Sequence, residues 1–405
     1  MLIGLDASRA NRQKKTGTEW YSFYLIKELA RLDRHNHYRL YLDKKPSTEL
    51  QELLAAAPNF DFRILSWPFT SFWTLGRLSL EMLFNSPDVL FVPAHGLPLI
   101  HPRRTINTIH DVAFAREEEV YREEGPKART AARRRFLKFL IKLFTGGRYR
   151  GTTLEYLNWS TAFSLRHAST IITVSDFTKQ EILDCFPFAD PGKIKVIHNG
   201  FASELYQPSL SSESEADNCL RRYGITRPYF LYVGRLEKKK NTPALIEALA
   251  LLREEYPEIK EKLVLIGNAS YGYDEVKYAI EEFDLDLEVI MPGWVEEEEL
   301  PFIFQQASAF IFPTKHEGFG IPVLQALASG TPTAVSNIPV LKEVAGEAVR
   351  YFNHFDYSDI AEAMAEIVIN KELRADLRER GFRQAKKFSW YRCATETLAL
   401  IENRK

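Results

Sequence analysis

The chain has 405 residues, 45% of them hydrophobic, and a formal net charge of -1. This length exceeds what one hydrophobic core usually fills, so we expect two domains of comparable size. A charge so near zero argues against a nucleic-acid partner bound through a globally basic surface. The only cysteines, Cys185, Cys219 and Cys393, lack CxxC spacing, which argues against a disulfide framework and a thiolate metal site.

The first half reads as an α/β domain over residues 1–200. A buried strand at 1–6 leads through a polar loop to Gly17 and a helix over Thr18–Leu32. Further apolar runs alternate with helical stretches, which predicts a parallel sheet covered on both faces. These runs are His37–Leu42, Val89–Val92, Thr105–Ile109 and Thr170–Val174.

Residues 201–220 are rich in Ser and acidic residues, which predicts a surface linker. A second α/β domain is expected over 221–385. Its predicted strands end in Gly or Pro, which places loops at the carboxyl edge of a sheet, where open α/β sheets bind ligands. They are Tyr229–Val233, Leu263–Ile266, Glu288–Met291 and Ala309–Phe312. The last helix, within 386–405, is expected to cross back to the first domain.

Two segments of the second half carry candidate chemistry. In 316–332, Glu317 lies on a predicted turn, where Gly318 and Gly320 allow unusual backbone angles. A helix is predicted to follow, and its first backbone amides suit a diphosphate. An ionised carboxylate there can accept hydrogen bonds from sugar hydroxyls. In 234–241, Arg235 and Lys240 follow a strand and can offset diphosphate charge. Taken singly, the first segment is also compatible with a tight turn before a core helix, and the second with a solvated basic turn.

Two segments of the first half reach the same edge of their sheet. His110 and Asp111 follow the strand Thr105–Ile109, so that His110 either points toward a ligand or closes a strand in packing. Gly17, beside Thr16 and Thr18, either lets its loop approach a ligand or only starts a helix. The agreement of four segments on one side of their sheets favours ligand binding.

The motifs together resemble a retaining glycosyltransferase of the GT-B type, family four, over nearly the whole chain. The matching stretches are KKTGTEWY, TIHDVAF, IITVSDFTKQEI, VIHNGF, YFLYVGRLEKKKN, the long run from PGWVEEEEL to KEVAG, and FSW. The resemblance implies two facing Rossmann-like domains with a cleft between them, a nucleotide-sugar donor bound mainly by the second, and a glycan or lipid-linked acceptor bound mainly by the first. It implies hexosyl transfer with retention, no cofactor and no required metal, plausibly in polysaccharide or cell-envelope assembly.

The resemblance assigns residues by position. Arg235 and Lys240 match the diphosphate pair, Glu317 the first glutamate of a two-glutamate motif, and His110 the histidine near the reacting centre; these four are the catalytic candidates. The donor-binding set adds Gly17, Gly234, Gly267, Val295, Gly318, Phe319, Gly320, Ile321 and Gln325. The acceptor-side candidates are Thr18, Glu19, His110 and Asp111.

Two positions depart from the family pattern. Gln325 stands where the family has a second glutamate that holds the nucleoside ribose, and losing this charge predicts donor binding weaker by about 1 to 2 kcal/mol, roughly ten-fold. Glu19 stands where many family members have a glycine, and it either hydrogen-bonds an acceptor hydroxyl or caps the following helix. Gln325 also keeps open an alternative function, a catalytically weak or degenerate nucleotide-sugar-binding protein.

Residues 127–150 hold nine Lys or Arg and no acidic residue. As a helix, this segment would place a basic stripe opposite an apolar one, which is typical of a helix at an anionic membrane surface. The alternative is an apolar stripe buried in the first domain. With no run of eighteen apolar residues and no secretory signal order, we expect a cytoplasmic protein, peripheral on the membrane if the first interpretation holds.

Overall fold

The structure is a computed structural model that describes residues 1–67, 73–94, 96–116, 153–207, 213–270 and 272–403. It divides into two compact units, Met1–Asn199 with Trp390–Lys405, and Gly200–Ser389. Each unit is built around one parallel sheet. The predicted basic segment 127–150 lies outside the described residues. Within the described part of the chain, no helix has the length and apolar character needed to cross a bilayer.

The first unit contains seven parallel strands in the order β3-β2-β1-β4-β5-β6-β7. The strands are β1 Leu2–Asp6, β2 His37–Leu42, β3 Phe60–Ile64, β4 Val89–Val92, β5 Thr105–Ile109, β6 Thr170–Thr173 and β7 Ile194–Val196. The helices that cover them are Gly17–Leu32, Thr48–Leu54, Ser79–Phe84 after a π-helical turn Trp73–Leu78, Thr153–His167, Asp176–Cys185 and Trp390–Glu402. Short 3-10 turns lie at Ala113–Ala115 and Pro191–Lys193.

Burial on both faces explains the strand sequences of this unit. Every residue of β4 and of β5 is buried. The Val-Leu-Phe-Val run of β4 is typical of a central parallel strand, whereas β5 alternates Ile with buried Thr and Asn. The strand β3, Phe60–Ile64, lies at the sheet edge and is partly exposed throughout. Its alternating polar residues gave no apolar run, which is why the sequence did not predict it.

The last helix, Trp390–Glu402, belongs to the first unit. The Trp390 ring stacks on Tyr24 of the helix Gly17–Leu32 with centroids 5.6 Å apart and planes at 7°. Arg104 donates to the Ile401 carbonyl oxygen at 2.8 Å, which joins the far end of the helix to β5. The return begins at Trp390, four residues later than the predicted boundary at 386.

The second unit contains six parallel strands in the order β10-β9-β8-β11-β12-β13. The strands are β8 Tyr229–Val233, β9 Lys262–Ile266, β10 Val289–Gly293, β11 Ala309–Phe312, β12 Thr333–Ser336 and β13 Arg350–Phe352. The helices are Glu213–Arg222, Thr242–Glu255, Tyr273–Glu282, Leu300–Gln306, Ile321–Ala328, Pro339–Ala345, Tyr357–Ile369 and Lys371–Ala385, with a 3-10 turn at Lys238–Lys240.

The segment expected to be a linker, 201–220, is structured where the structure describes it. Residues Glu213–Arg222 form a helix whose Ala216, Cys219 and Leu220 are buried. The Cys219 thiol contacts the Glu299 carbonyl oxygen at 3.7 Å. An acidic and Ser-rich composition marked the exposed face of this helix, while three apolar residues at helical spacing anchor it to the second unit.

Candidate active site

In the second unit the candidate residues flank the point where the strand order reverses. From β8 the chain runs outward through β9 and β10, and then crosses to β11 on the other side. Ligands bind open α/β sheets at such a switch point, outside the carboxyl ends of the strands. The loop after β8 carries Arg235 and Lys240, and the loop after β11 carries Glu317. Topology therefore brings the donor-site candidates of this unit to one crevice.

Hydrogen bonds join these two loops directly. The Lys315 backbone amide donates to the Lys239 carbonyl oxygen at 2.9 Å. The Thr314 hydroxyl, which donates to the His316 carbonyl oxygen at 3.0 Å, lies 3.4 Å from the same Lys239 oxygen. The two loops are thus joined by a main-chain hydrogen bond before any ligand is considered. The crevice is preorganised by its own backbone.

An ion pair between Lys240 and Glu317 lies across the crevice. Both side chains are only 13% exposed, and the Lys240 ammonium lies 5.7 Å from the centroid of the Phe312 ring. An ammonium has three donors and an ionised carboxylate several acceptor sites, so the pair leaves capacity on both partners. Partial desolvation strengthens the interaction of both groups with a charged ligand.

Arg235 is the more exposed cation of this edge. Its side chain is 52% exposed and its Nη1 lies 3.5 Å from Glu237 Oε2, a loose contact. Its carbonyl oxygen accepts a hydrogen bond from the buried Tyr232 hydroxyl at 3.0 Å. The backbone of Arg235 is therefore fixed from inside the unit while the guanidinium remains accessible to solvent.

Gly234 and Gly267 allow the loops after β8 and β9 to touch. Gly267 has φ of +147°, and a Cβ built on it would lie 1.9 Å from the Gly234 carbonyl oxygen. No side chain fits in that space, because the obstacle is backbone. The close approach requires glycine at 267, and a Cβ at 234 would lie 2.7 Å from the Tyr232 hydroxyl oxygen.

The turn before the helix Ile321–Ala328 has a left-handed residue at its end. Gly320 has φ of +104°, and Pro322 lies in the first turn of the helix. The Phe319 side chain is buried, with its ring centroid 5.7 Å from that of Phe388. Gly318 and Ile321 are partly exposed. The loop therefore presents main chain at the helix start while the Phe319 ring anchors it, as expected of an anion-binding helix terminus.

Gln325 lies one turn into this helix and contacts a carboxylate that the sequence did not single out. Its Nε2 donates to Glu297 Oε1 at 2.9 Å, and the Tyr206 hydroxyl donates to the same oxygen at 3.0 Å. Burial raises the pKa of the Glu297 carboxyl to about 7, against the opposing effect of these two hydrogen bonds. Val295, two residues earlier, is buried. A carboxyl group thus lies beside position 325 although that residue is itself an amide.

In the first unit the order of the sheet reverses between β1 and β4. His110 follows β5, and its Nε2 lies 3.0 Å from the carbonyl oxygen of Pro93, the residue after β4. A carbonyl oxygen only accepts, so Nε2 carries a proton and donates it to Pro93. The Tyr21 ring meets His110 edge-on at 4.8 Å. His110 is therefore oriented at the edge of its own switch point.

The other acceptor-side candidates shape their loops. The Glu19 carboxylate accepts from the Thr16 backbone amide at 3.2 Å and pairs with Arg9 at 3.2 Å, so it caps the helix Gly17–Leu32. The Thr18 carbonyl oxygen accepts from the Ser22 hydroxyl at 3.0 Å. Asp111 Oδ1 accepts from the Ala113 amide at 3.3 Å. Of the two roles open for Glu19, the structure shows the helix cap.

Comparison with known proteins agrees with this arrangement. A family model described as Glycosyltransferase Family 4 matches residues 15–205, and one described as Glycosyl transferases group 1 matches residues 221–384. The chain is 29% identical over 393 residues to the O-antigen chain mannosyltransferase B of Escherichia coli, covering 95% of both chains. It is 24% identical to the O-antigen chain mannosyltransferase RfbU of Salmonella typhimurium, covering 75% of this chain and 71% of that one.

Solved structures share the fold over almost the full length. WaaG, a glycosyltransferase involved in lipopolysaccharide biosynthesis, matches with a TM-score of 0.70 at 15% identity and 99% coverage of both chains. Anabaena HepE in complex with UDP and glucose matches with a TM-score of 0.69, again at 15% identity and 99% coverage of both chains. The two parallel α/β units of this chain share the GT-B fold of these structures. The chain belongs to glycosyltransferase family four.

The predicted family, α/β GT-B fold class and glycosyltransferase activity are therefore confirmed. The structure brings Arg235, Lys240 and Glu317 together at one edge, and it orients His110 at the edge of the other unit. Sequence reasoning missed Glu297 and Tyr206. Glu297 is one of four consecutive glutamates, Glu296–Glu299, and its partner Gln325 is 28 residues away, so no local pattern marks it.

Proposed function

We propose that this glycosyltransferase moves a hexose, and specifically a mannose, from a nucleotide-diphosphate donor to a hydroxyl of a growing polysaccharide. The Lys240–Glu317 ion pair across the switch point of the second unit carries the proposal, since a cation suits a diphosphate and a carboxylate suits sugar hydroxyls. The choice of mannose follows the O-antigen chain mannosyltransferase B, which is similar over 95% of both chains. Structural neighbours that bind UDP and UDP-glucose support a nucleotide-sugar donor.

The proposed mechanism is transfer with retention at the anomeric carbon. The nucleotide leaves one face of the sugar through an oxocarbenium-like state, and the acceptor oxygen attacks the same face. Arg235, Lys240 and the amides of Phe319 and Gly320 stabilise the charge that develops on the leaving diphosphate. A diphosphate oxygen takes the acceptor proton, so the scheme requires no covalent nucleophile and no metal. His110 orients the sugar or the acceptor.

In this scheme Glu317 binds the sugar. Its carboxylate is held by Lys240 and retains acceptor sites for hydroxyl groups. Thr18, Glu19 and Asp111 remain acceptor-side predictions, and so do a lipid-linked acceptor and membrane attachment through 127–150. The alternative function, nucleotide-sugar binding with weak or no turnover, is motivated by Gln325 in place of a glutamate.

A binding assay followed by a turnover assay tests the proposal. We expect one of GDP, UDP or ADP to raise the melting temperature of the wild-type chain, and the matching sugar nucleotide to be consumed, with GDP-mannose the first to try. Glu317→Ala should abolish consumption while nucleotide binding persists. As a matched control, Glu275→Ala removes a carboxylate from the exposed ion pair of Lys238 and should leave consumption unchanged.

The outcomes separate the two functions. Consumption of a sugar nucleotide, lost in Glu317→Ala, supports the transferase. Nucleotide binding without consumption of any of the matching sugar nucleotides, even with mixed glycan acceptors, supports the degenerate binder. Failure of every nucleotide to bind contradicts the donor-site assignment.

A further inference from the structure

The side chain of Gln325 contacts a neighbouring carboxylate, that of Glu297. Glu297 lies in the loop between β10 and the helix Leu300–Gln306, and Gln325 lies in the helix Ile321–Ala328. The two side chains hydrogen-bond at 2.9 Å. A glutamate at 325 would place two carboxylates within this distance, an arrangement in which both cannot stay ionised. Gln325 and Glu297 are therefore electrostatically matched to each other.

The hydrogen bonds of Glu297 fall on one of its two oxygens. Tyr206 and Gln325 both donate to Oε1, at 3.0 and 2.9 Å. Within the described part of the chain, no hydrogen bond or ion pair ends on Oε2. An ionised carboxylate accepts on both oxygens, so Oε2 retains its accepting capacity. The residue as a whole is partly exposed.

We infer that Glu297 is a further donor-binding residue, which supplies through Oε2 the carboxylate contact to the nucleoside ribose that position 325 lacks. Gln325 and Tyr206 act as positioning residues that hold Oε1. The inference rests on the proposed function, since it assumes that the helix Ile321–Ala328 borders the nucleoside end of the donor. It replaces the expectation of a ten-fold weaker donor site with that of a relocated carboxylate.

The direct test compares ribose recognition in two chains. Wild type and Glu297→Gln are titrated calorimetrically at pH 8 with GDP and UDP and with the 2′-deoxy and 3′-deoxy forms of each. We expect wild type to bind one deoxy form at least five-fold more weakly than its parent nucleotide. Glu297→Gln should bind the parent about ten-fold more weakly and lose most of that discrimination. Glu296→Gln, which removes a charge from an exposed neighbouring position, is the matched control and should retain both values.

A charge swap excludes a merely structural role for Glu297. Gln325→Glu alone should raise the donor KM at pH 8, because it sets two carboxylates against each other. Glu297→Gln with Gln325→Glu restores one carboxylate and one amide in exchanged positions, and should return KM to within about three-fold of wild type with kcat little changed. A structural defect would instead lower kcat and the melting temperature without recovery in the double variant.

Two results would overturn the inference. One is ribose discrimination in Glu297→Gln equal to that of wild type, and the other is Gln325→Glu binding donor more tightly than wild type while Glu297→Gln is neutral. Both can occur with full sugar transfer, so they leave the proposed function standing. Conversely, ribose discrimination that depends on Glu297 without any sugar consumption would contradict the transferase and retain the inference.

Discussion

The switch points of the two sheets use cations in opposite ways. In the loop after β1, Lys15 is 4% exposed, pairs with Glu49, and lies 5.1 and 4.9 Å from the ring centroids of Trp20 and Phe23. In the loop after β8, Arg235 is half exposed, and Lys240 meets Glu317 across the crevice. The cation of the first loop is enclosed by its own unit, whereas those of the second lie at the carboxyl edge of the sheet, where Arg235 is half exposed.

This contrast shows that one topology can carry two different arrangements of charged side chains. Both sheets are parallel and reverse their strand order once, so the backbone places a crevice in each. At the first crevice the polar groups satisfy each other, as the Glu19 cap and the His110–Pro93 contact do. At the second, charged groups keep capacity for a ligand. The side chains, more than the topology, therefore distinguish the two edges.

The largest effect that follows from the contrast concerns Lys240. We expect Lys240→Met to lower kcat/KM by about 10²- to 10³-fold, because it removes charge stabilisation of the leaving group. It should also weaken binding of the nucleoside diphosphate by about ten-fold. Lys238→Met, in the same turn but paired with Glu275 at the surface, is the control and should remain near wild type in kcat/KM.

A substitution at the first edge should have a different effect. His110→Phe should lower turnover while leaving nucleotide affinity within about two-fold. Equal loss of nucleotide binding in the His110 and Lys240 variants would erase the distinction between the two edges.

The second effect compares two glycines. Gly267→Ala should destabilise the second unit by roughly 3 kcal/mol, because its Cβ would overlap the Gly234 carbonyl oxygen and φ is +147°. Gly17→Ala should leave the melting temperature unchanged or slightly higher, because no atom lies within 4 Å of the Cβ and the residue begins a helix. Thermal unfolding followed by circular dichroism measures both. An unaltered melting temperature in Gly267→Ala would contradict the close approach of the two loops.

The smallest effect concerns pH. The Glu297 carboxyl has a pKa of about 7 in the folded chain against 4.5 as its ordinary value, and the titratable groups facing it are Tyr206 and Glu298. The folded chain therefore binds the proton more tightly, and its free energy of unfolding should fall by about 2 to 3 kcal/mol as pH rises from 4.5 to 7. Above about pH 8 this contribution should be constant.

Denaturant unfolding at several pH values measures this slope. Glu297→Gln should remove it, whereas Glu296→Gln should keep it. A slope that persists in Glu297→Gln would assign the pH dependence to another group. Glu19, by contrast, meets a cation, Arg9, which shows again that the first edge pairs its charges internally.

Most of the second unit could be predicted because its strands are continuous apolar runs. The strands Tyr229–Val233 and Ala309–Phe312 were predicted with the bounds that the structure has. The strands β12 and β13, Thr333–Ser336 and Arg350–Phe352, were not, because they are short and contain polar residues that only the sheet makes buried or paired. Length and composition carry too little signal for such strands.

The site was predictable where function depends on residue type at a fixed spacing along one loop. Arg235, Lys240 and Glu317 follow strand ends, so a coarse assignment of strands already places them at one edge. The contact of Glu297 with Gln325 depends on the register of two helices and a loop, which the sequence does not encode locally. The same holds for the cap made by Glu19, which the sequence left open between two roles.

The stacking of Trp390 on Tyr24 has a consequence for biosynthesis. The first unit is discontinuous in the chain, because the helix that covers Gly17–Leu32 follows the whole of Gly200–Ser389. A ribosome therefore releases residues 200–389 as one uninterrupted segment able to fold at once, while the earlier residues wait for their last helix. The N-terminal half, although made first, completes its packing last. In that interval we expect chaperones to bind the apolar face of the helix Gly17–Leu32 that the last helix later covers.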